Sequence, residues 1–366
     1  MAKRFSEHGS IRPFSGGGGV ARAHEKVQRP AGMDPVRTGF SALYDPFMSA
    51  GLSRLWPEFD PAAVFPEIAQ LRVAVSARNW SAVSSFFAGL ADENDRSFAV
   101  GVVGKVGGAE NGLQEVVARG VPSTLPSVLL ASRYIDLGWK TRTARSARLV
   151  SRKRFAVFHD HLRRAERLLI DVTAREPHNA MAWAERLLTA RGLELGQSEA
   201  RRRYDRLAEH HPHHFMAQSR LLQQLCPKWG GTWEEMHAFA RACMLAAPPG
   251  SLSPVLVAEG HLERWLHLGG TGTQKAKRYM RRQPQVREEI VEAAHRSVLD
   301  PAFRSRYGWR SAHNVFAAAF SLMGERKRAA VHFRSLGNVA SDHPWYYFAD
   351  KSAAFRVNRT IALVRG

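Results

Sequence analysis

The amino-acid sequence predicts an all-α protein made of antiparallel helical hairpins that stack on one another. From about residue 62 onward, apolar residues recur at spacings of three and four, and the alternation typical of strands is almost absent. Glycine or proline separates most of these periodic segments, which indicates short helices joined by short turns. Hydrophobic residues make up 45% of the 366 residues, enough to form a buried core.

The first 60 residues have a different composition and predict a disordered or loosely packed basic tail (1–60) before a helical-repeat domain (61–366). Residues 15–19 resemble a flexible linker, and six prolines lie between residues 13 and 61. Residues 1–32 carry six basic side chains against two glutamates, a balance that also fits an arm contacting nucleic acid. Translation could begin at Met1 or at Met33, and an ordinary disordered tail is the third interpretation. Residues 55–59 are expected to form a short extended lead-in to the folded body.

Apolar periodicity predicts the helices in order along the body. The first two are expected near residues 68–75 and 83–90, with Ser81 as the N-cap of the second. The remaining predicted helices cover residues 125–137, 154–175, 180–191, 198–210, 214–225, 233–246, 253–267, 284–299, 310–322 and 326–336. The aromatic run 345–348 is expected to be the terminal cap of the stack.

Prolines that would close a helix recur at Pro177, Pro212 and Pro248, which are 35 and 36 residues apart. Aligned on Pro212, a hairpin pattern has a small residue at Ala200 and an aromatic residue at Tyr204. With these residues the chain resembles the tetratricopeptide repeat, a family of 34-residue helical hairpins. The likeness covers about residues 150–250, with an echo at 310–336. It departs from the family pattern because Trp183 lies one residue from the tryptophan position and Leu188 occupies the usual glycine position.

The resemblance implies a tetratricopeptide-like α-solenoid whose concave side binds protein. Each hairpin would leave an apolar face that only its neighbour can cover. A small residue lets two helices approach closely, and aromatic residues fill the groove between hairpins. The residues predicted to pack the repeats are Trp183, Ala200, Tyr204, Trp229 and Phe239. Residues 226–236 are also similar to a segment of bacterial helical-repeat proteins of unknown function, a likeness that supplies no chemistry.

Basic residues are the strongest signal outside the core. The net charge is +20, and 43 of the 53 basic residues are arginine, which suits anionic partners because the guanidinium group binds phosphate and carboxylate in a bidentate manner. Arginine-rich coding is the other explanation. The predicted anion-binding surface has six arginines. The first four are spaced three, three and four residues apart, which predicts one basic helix face, and the last two extend the surface. They are Arg142, Arg145, Arg148, Arg152, Arg202 and Arg206. A third basic cluster covers residues 275–282, and each cluster could instead be a solvated helix face.

No motif predicts catalysis, a cofactor or a metal site. The histidines at 210, 211, 213 and 214 straddle Pro212 and are expected to be exposed turn residues, and Cys226 and Cys243 are expected to be small buried hydrophobes. Residues 101–106 and 269–273 lack the spacing of a phosphate-binding loop and predict loops between helices.

Residues 228–231 predict a structural turn before a helix capped by Thr232 and Glu235, with an aromatic ligand platform as the alternative.

The sequence therefore predicts a non-enzymatic protein-interaction scaffold that uses the inner surface of a helical stack. The alternatives are sequence-non-specific binding of nucleic acid or another polyanion through arginine-rich helix faces, and an enzyme of unrecognised type assembled from distant residues. No apolar run is long enough to span a membrane and no apolar leader begins the chain, so membrane insertion is not expected. Two cysteines fit a reducing compartment, and a cytoplasmic location is expected.

Overall fold

The computed structural model describes residues 56–142 and 150–366, and all of these belong to one compact unit. Within these ranges the chain forms 17 α-helices and no strand, so the all-α prediction is confirmed. The helices are α1 (Pro66–Ser76), α2 (Trp80–Ala88), α3 (Glu93–Gly104), α4 (Ala109–Ala118), α5 (Leu125–Arg142), α6 (Arg152–Arg175), α7 (Ala180–Gly192), α8 (Gly196–Ala208), α9 (Phe215–Gln224), α10 (Trp233–Ala246), α11 (Val255–His267), α12 (Gln274–Arg282), α13 (Pro284–Arg296), α14 (Gly308–Met323), α15 (Arg326–Leu336), α16 (Asp342–Trp345) and α17 (Lys351–Arg365).

Helix boundaries follow the capping residues. The predicted capping box before α10 is confirmed, because the Thr232 hydroxyl accepts from the Glu235 amide and the Glu235 carboxylate accepts from the Thr232 amide, both at 3.1 Å. The predicted N-cap of α2 was wrong. Asn79, two residues before Ser81, accepts from the Ala82 amide at 3.1 Å and starts the helix earlier.

Helix α3 was predicted to be partly a loop, which is wrong. Asp92 caps it by accepting from the amides of Asn94 and Asp95, and Val100 and Val103 on its inner side are fully buried. Burial of these side chains outweighs the low helix propensity of the glycines. The glycine at 104 also serves packing, since a Cβ there would lie 2.6 Å from the Ser132 hydroxyl of α5.

The helices pack chiefly against neighbours in the chain. In the series α5, α7, α9 and α11, each helix contacts the next, while α6, α8 and α10 each contact the two members of the series that flank them. Helix α3 departs from this pattern because it contacts α5, α7 and α9. It therefore lies across three members of the series and covers part of them.

The start of the described body pairs with the segment that follows α15. Glu58 and Val339 form a parallel bridge in which the Glu58 amide donates to the Asn338 carbonyl and the Ala340 amide donates to the Glu58 carbonyl, each at 2.8 Å. Arg310 of α14 donates to the carbonyls of Ala340 and Phe59. The extended lead-in at residues 56–60 thus packs against the helical body.

The aromatic run 345–348 is not the terminal cap that was expected, because helix α17 follows it. Trp345 is fully buried, with its ring 6.1 Å from Phe333 and 5.4 Å from Phe355 of α17. The last helix was not predicted, and of its apolar residues only Phe355 and Ala362 are buried.

Candidate functional site

A cavity of about 700 Å³ lies where the lead-in, α1, α3, α9, α14 and the segment 341–351 come together. The most distant lining residues, Phe59 and Lys351, are 292 residues apart in the chain. The lining includes five aromatic residues, Phe59, Phe98, Phe215, Tyr307 and Tyr346. Among the polar lining residues are Asp60, Arg72, Asn94, Asp95, Lys105, Arg310, Asp342, His343 and Lys351.

Aromatic rings form one wall of the cavity. Phe98 of α3 stacks on Tyr307 with ring centroids 4.8 Å apart, and Phe65 meets Tyr307 edge-on at 4.9 Å. Tyr307 is itself held by α1, because its hydroxyl donates to the Glu67 carboxylate, which also pairs with Arg306 at 2.9 Å. Offset and edge-on aromatic pairs stabilise the folded state beyond the burial of the rings, so the side chains of this wall are held in fixed positions.

Hydrogen bonds between α3 and the start of α9 fix the neighbouring wall. The Phe215 amide donates to the Asn94 side chain at 2.7 Å, and the Ser97 hydroxyl lies 2.9 Å from His214 Nε2. His214 Nδ1 accepts from the Ala217 amide and caps α9. Burial lowers the pKa of His214 to about 4, so the ring is neutral at pH 7. The prediction of four exposed turn histidines is therefore wrong at His214, which is a buried cap.

Charged side chains of both signs surround the aromatic wall. Arg72 Nη1 donates to both oxygens of Asp60, at 2.7 and 2.8 Å, and Lys351 pairs with Asp342 at 2.6 Å. Lys105 and Asp95 make no salt bridge within the described ranges, and Lys105 is exposed. Burial and the nearby Asp92 raise the pKa of Asp95 above its ordinary value. The cavity therefore offers Lys105, which has no salt bridge, and Asp95, which has a backbone hydrogen bond from Tyr307 and the charge of Arg306 nearby, beside an apolar wall.

Behind His343, two buried glutamates of α11 form a polar cluster. Glu259 accepts from Ser219 at 2.8 Å, and Glu263 accepts from Gln223 at 2.6 Å and from Lys228 at 2.7 Å.

Burial raises the pKa of Glu259 to about 7, whereas Lys228 and the other donors hold the pKa of Glu263 below its ordinary value. Burial also lowers the pKa of His343 to about 4, although its Nδ1 is 4.0 Å from Glu259. At pH 7 this polar cluster thus holds a charged Glu263 next to a Glu259 that is close to its midpoint.

The five residues predicted to pack the repeats lie away from the cavity. Trp183, Ala200, Tyr204 and Phe239 are buried in one hydrophobic cluster, and Trp229 packs against it. Tyr204 meets Phe239 of α10 edge-on with centroids 5.3 Å apart, and the Trp183 indole donates to the Pro177 carbonyl at 2.7 Å. These residues join α7, α8 and α10.

The single basic face predicted over residues 142–152 is wrong. Arg142 is the last residue of α5, whereas Arg152 begins α6 after the N-cap Ser151, so the two arginines belong to different helices. Arg145 and Arg148 lie outside the described residues. The guanidinium of Arg142 lies over the rings of Trp139 and Trp229, at 5.5 and 5.9 Å from their centroids.

The other two residues of the predicted anion-binding surface have carboxylate partners. Arg202 donates to both oxygens of Glu199, at 2.8 and 2.7 Å, and Arg206 lies 3.5 Å from Glu209. Arg202 and Arg203 hold the pKa of Glu199 down to about 2, with the side-chain hydrogen bond from Arg202 as the largest cause. The charge of Arg202 and Arg206 is therefore largely matched within α8 and its C-terminal turn.

Sequence reasoning did not identify the cavity. Its walls depend on contacts between distant residues, such as Asn94 with Phe215 and Glu67 with Tyr307, and no local sequence pattern predicts these contacts.

Among the described residues, no group of His, Cys, Asp and Glu is placed to hold a metal ion. Cys226 and Cys243 are buried and free, as predicted. None of the described helices is long and apolar enough to cross a membrane.

Comparison of the chain with protein-family models, with curated proteins and with solved structures gave no significant match. The site is therefore interpreted from its own geometry.

Proposed function

We propose that the protein is a non-enzymatic interaction scaffold that binds a short segment of a partner protein in the 700 Å³ cavity. The observation that carries the proposal is the lining, in which an aromatic wall lies beside charged groups of both signs. Peptide-binding pockets need this combination, because a buried apolar anchor supplies most of the affinity and polar groups fix orientation.

We further propose that the helices stack as a tetratricopeptide-like α-solenoid. Contacts between successive helices, and between alternate helices from α5 to α11, support this arrangement. Helix α3 covers part of the alternate series, which concentrates binding in the cavity instead of spreading it along an open groove. The predicted cytoplasmic location stays a prediction.

The expected partner segment carries an apolar or aromatic anchor together with charged neighbours. Its anchor would contact Phe98 and Tyr307, while Lys105 and Asp95 would each meet a side chain of opposite charge. A cavity of about 700 Å³ lies within the roughly 300–1,000 Å³ typical of binding sites for small ligands and anchoring side chains.

Gly101 supplies a sharp test. It lines the cavity within α3, and a Cβ at this position meets nothing within 4 Å. Gly101→Trp should therefore fill the cavity without breaking the helix, while Ser84→Trp on the exposed side of α2 is the matched control. Peptides would be selected against the purified chain by display, and their affinities measured by calorimetry.

We expect selected peptides to share an aromatic or large aliphatic residue, to lose binding to Gly101→Trp, and to keep it with Ser84→Trp. Equal affinity for the wild type and Gly101→Trp, or failure to select any peptide, would contradict the proposal.

A further inference from the structure

A second concave site lies between α11 and α12, and it shares no lining residue with the first cavity. Its volume is about 530 Å³. Four cationic side chains line it without any carboxylate, and the remaining lining is Leu268, Tyr279 and Gln283. The cations are Arg264, Lys275, Arg278 and Arg282.

None of these four cations makes a salt bridge or hydrogen bond with another residue of the described ranges. Lys275, Arg278 and Arg282 are exposed and spaced three and four apart on α12, which places them on one face of the helix. Some exposed arginines elsewhere have carboxylate partners: Arg164 pairs with Asp160 at 2.9 Å and Arg175 with Asp171 at 2.6 Å. Cations gathered without a counter-charge repel one another, so this arrangement favours an anionic ligand.

The arginine contributed by α11 is already oriented. The Arg264 guanidinium lies over the rings of Trp233 and Tyr279, with distances to the centroids of 5.3 and 5.7 Å. Tyr279 is held in place by a chain of two contacts. Its hydroxyl lies 2.6 Å from His261 Nδ1, and His261 Nε2 lies 2.9 Å from the Glu289 carboxylate. A wall held in this way loses little freedom when a ligand binds.

We propose that this basic pocket binds a compact ligand that carries two or more phosphate groups. Guanidinium groups bind phosphate oxygens in a bidentate manner, and several charges on one ligand match several cations converging on one pocket. The three cations of α12 lie within eight residues, or about 10 Å of helix, which fits a small polyphosphate. Arg281 turns away and donates to the Leu322 carbonyl at 3.1 Å, so the basic face is short.

Tripolyphosphate is the probe, with calorimetry at about 50 mM salt, where screening of surface charge is modest. We expect micromolar binding that weakens at least tenfold when Arg278→Ser and Arg282→Ser are combined. The control combines Arg164→Ser with Arg175→Ser, which removes the same charge from α6 and should change affinity less than twofold. Circular dichroism would check that both double variants remain helical, and Arg264→Met gives an independent test with a similar apolar stem.

Equal weakening by the two double variants would overturn the proposal, because it would show binding to net charge alone. Tight binding of a single-stranded oligonucleotide without binding of tripolyphosphate would also overturn it. Gly101→Trp should leave tripolyphosphate binding unchanged, so this inference and the proposed peptide site can fail independently.

Discussion

Replacement of Glu166 by alanine should destabilise the protein far more than replacement of an exposed carboxylate. Glu166 of α6 is 8% exposed and accepts hydrogen bonds from Arg186 of α7 at 3.0 Å and from Arg203 of α8 at 2.9 and 3.0 Å. The Thr189 hydroxyl also donates to it. One carboxylate thus joins three successive helices.

The expected loss of stability depends on the partners that Arg186 and Arg203 retain once the Glu166 carboxylate is removed. Removing one partner of a buried ion pair costs about 3–5 kcal/mol, because the other charge stays buried without compensation. Arg203 retains Glu199 at 2.7 Å, whereas Arg186 retains only neutral partners such as Thr173 at 2.8 Å. We therefore expect a loss at the lower end, about 3 kcal/mol, for Glu166→Ala.

Urea denaturation followed by circular dichroism would measure the free energy of unfolding. The matched control is Asp160→Ala, also on α6, which removes an exposed pair with Arg164 and should cost less than about 1 kcal/mol. If Glu166→Ala costs no more than Asp160→Ala, the buried network does not join α6, α7 and α8 in the way described.

Three further effects can be measured in the same way. Burial raises the pKa of Glu259 from 4.5 to about 7. Between these two pH values the folded state keeps a proton that the unfolded state has released, so the free energy of unfolding falls as the pH rises from 4.5 to about 7. Glu259→Gln should remove that loss, which is about 3 kcal/mol, and parallel pH profiles for variant and wild type would refute the assignment. Gly192→Ala should cost about 1–3 kcal/mol, since its Cβ would lie 2.3 Å from Leu162 and 2.9 Å from Phe158, and an unchanged urea midpoint would contradict this packing. Gly101→Ala, which meets no atom within 4 Å, should instead stabilise α3 by about 0.5–1 kcal/mol, and destabilisation would show that the site is filled.

Local patterns predicted the helical class and most of the helices, because buried apolar residues recur with the helical period from α5 to α15. The predicted bounds of α10 and α15 coincide with those observed. The misses have physical causes. Helix α3 contains glycines that lower its propensity, and α12 carries five charged residues in nine, with only Ala276, Tyr279 and Met280 buried.

The sequence predicts where charged residues cluster better than it predicts which of them form ion pairs. The spacing of Glu199 and Arg202 already permits an ion pair within α8, and the structure has this pair. Helix α12 contains no acidic residue among residues 274–282. Once this segment is recognised as a helix, its sequence therefore predicts a basic face without partners in the same helix. The 700 Å³ cavity had no such signal, because its walls come from segments as distant as Phe59 and Lys351.

The structure of the protein bound to a display-selected peptide tests the central claim most directly. We expect the peptide's apolar anchor to lie in the 700 Å³ cavity, within about 4 Å of the rings of Phe98 and Tyr307. A peptide bound on another surface, with this cavity unfilled, would contradict it.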